Sequence, residues 1–89
     1  LTSRYYLRLT VEDRAGVFAQ IGRVLGKLGI SIASVIQKGT DPSTNTAEIV
    51  VTTHPALESA VQESIKQMQE LQMVSEIHSL VRLEDWSFN

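Results

Sequence analysis

The sequence predicts one α+β domain: a ferredoxin-like βαββαβ sandwich, with a four-stranded antiparallel sheet in the order 4-1-3-2 and both helices on one face. Three observations predict it. Segments with an apolar period of two alternate with segments of helical period. The second and third strand-like segments are parted only by a cluster of turn formers, so they make a hairpin. Short connections with right-handed crossovers then leave the split βαβ arrangement.

The first strand runs from Tyr5 to Val11, with Leu7, Leu9 and Val11 on one face and Tyr6, Arg8 and Thr10 on the other. The stretch Val11-Glu12-Asp13-Arg14-Ala15-Gly16-Val17-Phe18 reads as a strand end, a tight turn and a helix start. Val17, Ile21, Val24, Leu25 and Leu28 form the apolar stripe of that helix. Asp13 is placed to cap the helix or its entry turn. Gly29 is placed to end it in a left-handed conformation. The second strand is expected over 30–38, with Ile30, Ile32 and Ile36 on one face and Ser31, Ala33, Val35 and Gln37 on the other.

Residues 39–45 are the turn, and Thr46 to Thr53 is the third strand, with Ala47, Ile49 and Val51 inward. Pro55 suits the first position of a second helix. Leu57, Val61, Ile65 and Met68 form its stripe, to about residue 71. The last strand spans 73–83, with Ile77, Val81 and Leu83 expected inward, and 84–89 is a polar tail carrying Trp86 and Phe88. The whole of 1–89 is one domain, with its core at about 4–83.

Eighty-nine residues bury a modest share of their surface, so stability from one core is marginal and assembly or attachment would add to it. The net charge of −2 argues against a nucleic-acid partner. The absence of cysteine excludes disulfides, thiolate catalysis and cysteine-bound zinc. No apolar run is long enough to cross a membrane. The start at Leu1 suggests a piece cut from a longer polypeptide.

The turn at 13–17 is the candidate binding element. A helix start carries unsatisfied N–H groups that attract a carboxylate. Asp13 is suited to an α-ammonium group, and Gly16 lets a ligand approach the backbone. The second strand lies at a sheet edge with neither charge nor proline between Ile30 and Ile36. Such an edge favours pairing with a second copy across a two-fold axis. Gly22 and Gly26 share a helical stripe that permits a neighbouring backbone to come close, inside the domain or across a dimer. His54 and His78 lack a third ligand, and no serine has a His–acid partner pattern, so neither a metal site nor a nucleophile is expected.

These residues together resemble an ACT domain, the amino-acid-binding regulatory module of many biosynthetic enzymes, over about residues 4–83. The family's first turn reads Asn or Asp, any residue, Pro, Gly, Val; here it is Asp13-Arg14-Ala15-Gly16-Val17. Its Gly-Ile-Asn-Ile at the second strand is Gly29-Ile30-Ser31-Ile32 here, with Ser31 in place of the Asn. Closer still is the resemblance to the C-terminal ACT domain of homoserine dehydrogenases. It is carried by Arg4-Tyr5-Tyr6-Leu7-Arg8, by residues 32–38, by Ala47-Glu48-Ile49-Val50 and Thr53-His54, and by Val81-Arg82-Leu83-Glu84.

The resemblance implies a non-catalytic fragment that binds an effector amino acid, threonine above all, through Asp13, Arg14, Ala15, Gly16 and Val17. Ser31, brought from a partner's edge strand, and Gln37 complete the implied set. It implies a homodimer through the second-strand edge and attachment to catalytic domains. The implied parent is a cytoplasmic enzyme that reduces aspartate semialdehyde to homoserine with NAD(P). No cofactor is expected in this fragment, because no glycine-rich dinucleotide turn follows a strand. The alternatives are an assembly domain of the same enzyme without effector binding, or the ACT domain of another amino-acid biosynthetic enzyme.

Overall fold

A computed structural model describes residues 2–83. Trp86, Phe88 and the rest of the tail lie outside the described residues. The elements are β1 (Thr2–Glu12), α1 (Val17–Lys27), β2 (Ile32–Asp41), β3 (Thr46–Thr53), β4 (Ala56–Leu57), α2 (Glu58–Gln69) and β5 (Val74–Leu83). β1 lies between β3 and β5, β2 pairs on the far side of β3, and every pairing is antiparallel. With β5 as the fourth long strand, this is the expected 4-1-3-2 order. The inner face of the sheet packs Leu7, Leu9, Val11, Ile49 and Val51 against Val17, Ile21, Val24 and Leu25 of α1 and Val61 and Met68 of α2. Burying each of these larger side chains contributes roughly 1.5–3 kcal/mol.

α1 ends as its sequence predicts. Gly29 has φ +77, its N–H donates to the Gly26 carbonyl at 3.0 Å, and the Ile30 N–H donates to the Leu25 carbonyl at 2.9 Å. That is a Schellman motif, and the buried Ile30 and Leu25 supply its apolar contact. Ile30 therefore belongs to the helix stop, and β2 starts at Ile32, later than expected. β2 also runs further, to Asp41, because the hairpin closes tightly. The Asp41 carboxylate accepts from the Ser43 N–H at 3.0 Å and the Ser43 hydroxyl at 2.6 Å. Asn45 completes the reversal at φ 54.

Three expectations about facing are corrected. Ile32 pairs with Thr53 and Ser34 with Thr52, so Ala33 is a bulge that displaces the alternation. Val35 then joins Ile32 on the inner face, opposite Val51, while Ile36 turns outward opposite Val50, 53% exposed. In β5 the pairs Ser79–Arg8 and Ile77–Leu9 leave His78 as a bulge. Ile77 and Leu80 therefore pack on the core, and Val81 and Leu83 face outward. Pro55 does not start α2: Ala56 and Leu57 pair with Ser3 and Thr2 of β1, and the helix begins at Glu58. Leu57 is 53% exposed, and the buried stripe of α2 is Val61, Ser64 and Met68.

The close approach expected at Gly22 and Gly26 is not made inside the domain: a Cβ at either would meet no described residue within 4 Å.

Candidate functional site

The turn between β1 and α1 stands over the hairpin end of the sheet. The Asp13 N–H donates to the Asn45 carbonyl at 2.9 Å, which ties the turn to the β2–β3 loop. Gly16 is the N-cap of α1, with φ 88 and ψ −12, and no side chain caps the helix. The expectation that Asp13 caps it is corrected: the left-handed Gly16 reverses the chain directly before Val17, and Asp13 lies too far upstream. The first amide to find an intrahelical acceptor is Gln20, which donates to the Gly16 carbonyl at 3.1 Å. The N–H groups ahead of it are the unsatisfied donors of the helix start.

Beneath the turn is a depression of about 260 Å³. Asp13, Arg14, Ala15, Gly16 and Val17 line it, and so does Gln37 from β2. Gln37 reaches it because the bulge at Lys38 sets Gln37 opposite Ile49, on the helix-covered face. Val11, Val17 and Ala47, each at most 3% exposed, give the depression an apolar floor. Its charges are unequal. The Arg14 Nε donates to the Glu12 carboxylate at 2.5 Å, so those two neutralise each other. Among the described residues the Asp13 carboxylate has neither a hydrogen-bond nor an ion-pair partner.

The structure thus gathers six of the seven residues singled out from sequence. Ser31 is not among them: it lies at the other end of β2, exposed, with its carbonyl accepting the His54 N–H at 2.9 Å. Val11, Glu12, Ala47 and Phe18 line the depression without having been singled out. Val11 and Ala47 pair directly across β1 and β3, so strand pairing is the signal that finds them. Phe18 is an apolar residue off the helix stripe and 48% exposed, which is the signal for it.

The outer face carries a separate polar depression formed by Arg8, Thr10, Asp41, Glu48 and His78. Its groups bond to one another. Arg8 donates to Glu48 at 2.6 Å, and the Thr10 hydroxyl lies 2.6 Å from the His78 Nε2. The hydrogen bond from Arg8 holds the Glu48 carboxyl below its ordinary value. The Ser43 hydroxyl and N–H do the same for Asp41. Among the described residues no three His, Cys, Asp or Glu side chains group to hold a metal ion, and no helix is long and apolar enough to cross a membrane.

Comparison with known proteins agrees with this architecture. The ACT domain profile matches residues 5–71. The homoserine dehydrogenase of Neisseria gonorrhoeae is 37% identical over 84 residues, which is 94% of this chain and 19% of that protein. That of Corynebacterium glutamicum is 36% identical over 83 residues, 93% of this chain and 18% of that protein. The solved homoserine dehydrogenase of Thiobacillus denitrificans superposes with a TM-score of 0.84 at 35% identity, covering 96% of this chain and 18% of that one. The ACT domain of a Chlorobium tepidum GTP pyrophosphokinase shares the fold, with a TM-score of 0.65 at 17% identity. The chain spans about a fifth of the length of the homoserine dehydrogenases it matches, in their C-terminal part. With its fold, its Asp13–Val17 turn and the profile match in agreement, the chain belongs to the ACT domain family.

Proposed function

We propose that this chain is the amino-acid-sensing regulatory domain of a cytoplasmic homoserine dehydrogenase, with threonine as its feedback effector. The observation that carries the reading is the depression itself, which combines an apolar floor with three kinds of polar group. The open donors at the start of α1 suit an α-carboxylate. The unpaired Asp13 carboxylate suits an α-ammonium. The Gln37 amide can donate to or accept from a side-chain hydroxyl. At about 260 Å³ the depression is below the usual range for drug-sized ligands and fits a small metabolite. Reduction of aspartate semialdehyde with NAD(P) would belong to polypeptide outside this chain. Here Gly22 and Gly26 lie within α1 and form no phosphate-binding turn.

Regulation would run through a homodimer. The regular stretch of the β2 edge is Ser34 to Gln37, between the two bulges. In a two-fold antiparallel pairing centred between Val35 and Ile36, Ser31 of one copy falls opposite Thr40 of the other. That brings it beside the Gln37 end of the neighbour's depression and supports a site shared by two copies. An effector held there shifts the equilibrium between two dimer arrangements only by the difference in its affinity for them. A coupling of about 1–3 kcal/mol gives useful control.

Calorimetric titration of the chain with threonine tests the reading. Saturable binding is expected, weakened about tenfold by Gln37→Ala through loss of one hydrogen bond. No heat with threonine, serine, isoleucine, valine, lysine or methionine, from a folded dimer, would favour the assembly role instead.

A further inference from the structure

The bulges leave a pattern on the open side of the sheet. Paired residues share a face, so Leu57 opposite Thr2, Leu83 beside Arg4, Val81 beside Tyr6 and Ile36 beside Val50 all lie away from the helices. They make up four of the six large apolar side chains that the described residues expose, at 53%, 38%, 46% and 53%. All four belong to apolar sequence patterns that predict burial. The register spends them on a face that no other described residue covers.

The face is graded. Leu57, Val81, Leu83 and Tyr6 cluster where β1 begins and β5 ends, since Arg4 pairs with Leu83. The polar residues collect toward the hairpin, where the Arg8–Glu48 and Thr10–His78 pairs already satisfy one another. Covering such a face keeps the Arg8–Glu48 pair intact, while Arg4, which lies beside Leu83 and has no ion-pair partner among the described residues, would need an acceptor from the occupant. The described residues thus enter and leave the sheet at its apolar end. The homologous dehydrogenases carry about four fifths of their length outside the region matched by this chain. A tethered partner of that size acts at high effective concentration.

We infer that the open sheet face, through Leu57, Val81, Leu83, Tyr6 and Ile36, is the surface on which the rest of the parent polypeptide docks. This rests on the reading of the chain as part of a longer enzyme. The occupant would present an apolar patch to the terminal end of the face and hydrogen-bonding groups to Arg8, Glu48 and His78. Signals from the depression would then have to cross the sheet, whose β1 and β3 contribute Val11 and Ala47 to one side and Arg8 and Glu48 to the other.

Hydroxyl-radical footprinting tests this, comparing the full-length parent polypeptide with the 89-residue chain. Tyr6, Ile36, Leu57 and Leu83 are expected to label several-fold more slowly in the full-length protein. Phe18, on the helix side, serves as the internal reference. Equal labelling of the outer-face residues in both proteins would overturn the inference. So would concentration-dependent protection of Tyr6, Leu57 and Leu83 in the 89-residue chain alone, which would make a second copy the occupant; Ile36, at the centre of the proposed β2-edge pairing, is left out of this comparison. The readout does not involve threonine or the parent's activity, so the inference and the sensing proposal can fail separately.

Discussion

Substituting alanine at four glycines should give opposite signs, although the space around them is the same. A Cβ at Gly16, Gly22, Gly26 or Gly29 would meet nothing within 4 Å, so crowding contributes nothing at any of them. What differs is the backbone. Gly16 and Gly29 hold φ of +88 and +77, where an L side chain is strained by about 1–2 kcal/mol. Gly22 and Gly26 sit inside α1, where alanine is favoured over glycine by about 1 kcal/mol. Gly16→Ala and Gly29→Ala should therefore destabilise, and Gly22→Ala and Gly26→Ala should stabilise, a spread of about 2–3 kcal/mol.

For a domain of this size each kcal/mol moves the thermal midpoint by roughly 4–8 °C. Urea and thermal unfolding of the four variants at one protein concentration measure it. Wild-type stability in Gly16→Ala would refute the strain argument. Loss of stability in Gly22→Ala or Gly26→Ala would refute the open helix face, and would mean that a second copy packs against α1 in solution.

Two further outcomes follow from the core and the surface. The buried Tyr5 N–H donates to the Thr53 hydroxyl at 3.1 Å, so Thr53→Val leaves a donor unsatisfied and should cost about 1–3 kcal/mol, while Thr53→Ser should restore most of it in the same unfolding assay. Glu48 and Asp41 titrate below their ordinary values when folded, so their stabilisation is present above the unfolded carboxylate range and is lost as pH falls through the folded values. Urea midpoints should therefore fall on acidification through and below about pH 4, with a shallower fall in Glu48→Gln and in high salt.

The order of the four long strands and two helices, their order in the sheet and the stop of α1 were legible, from periodicity, from short right-handed connections and from one glycine. Alternation in 5–11 and 46–53 follows from side-chain geometry along a strand, and Gly29 ends α1 through its own backbone freedom. The 13–17 turn was legible for the same reason, and the structure sets its residues around one depression. Facing in β2 and β5 was not legible. One extra residue at Ala33, Lys38 or His78 reverses every side chain beyond it, and only pairing with β3 and β1 reveals which residue is extra.

The sequence by itself determined the α+β class, the hairpin, the stop of α1 and the turn that builds the depression. These depend on periodicity and on the backbone preferences of single residues. The tertiary structure alone decided that Gln37 joins that turn, that Leu57 pairs in a short strand instead of opening α2, and that Ile36, Val81 and Leu83 face away from the helices. Those outcomes depend on register between strands distant in sequence, where two neighbouring residues have nearly equal claims on one partner. The choice is settled by the packing of the whole inner face.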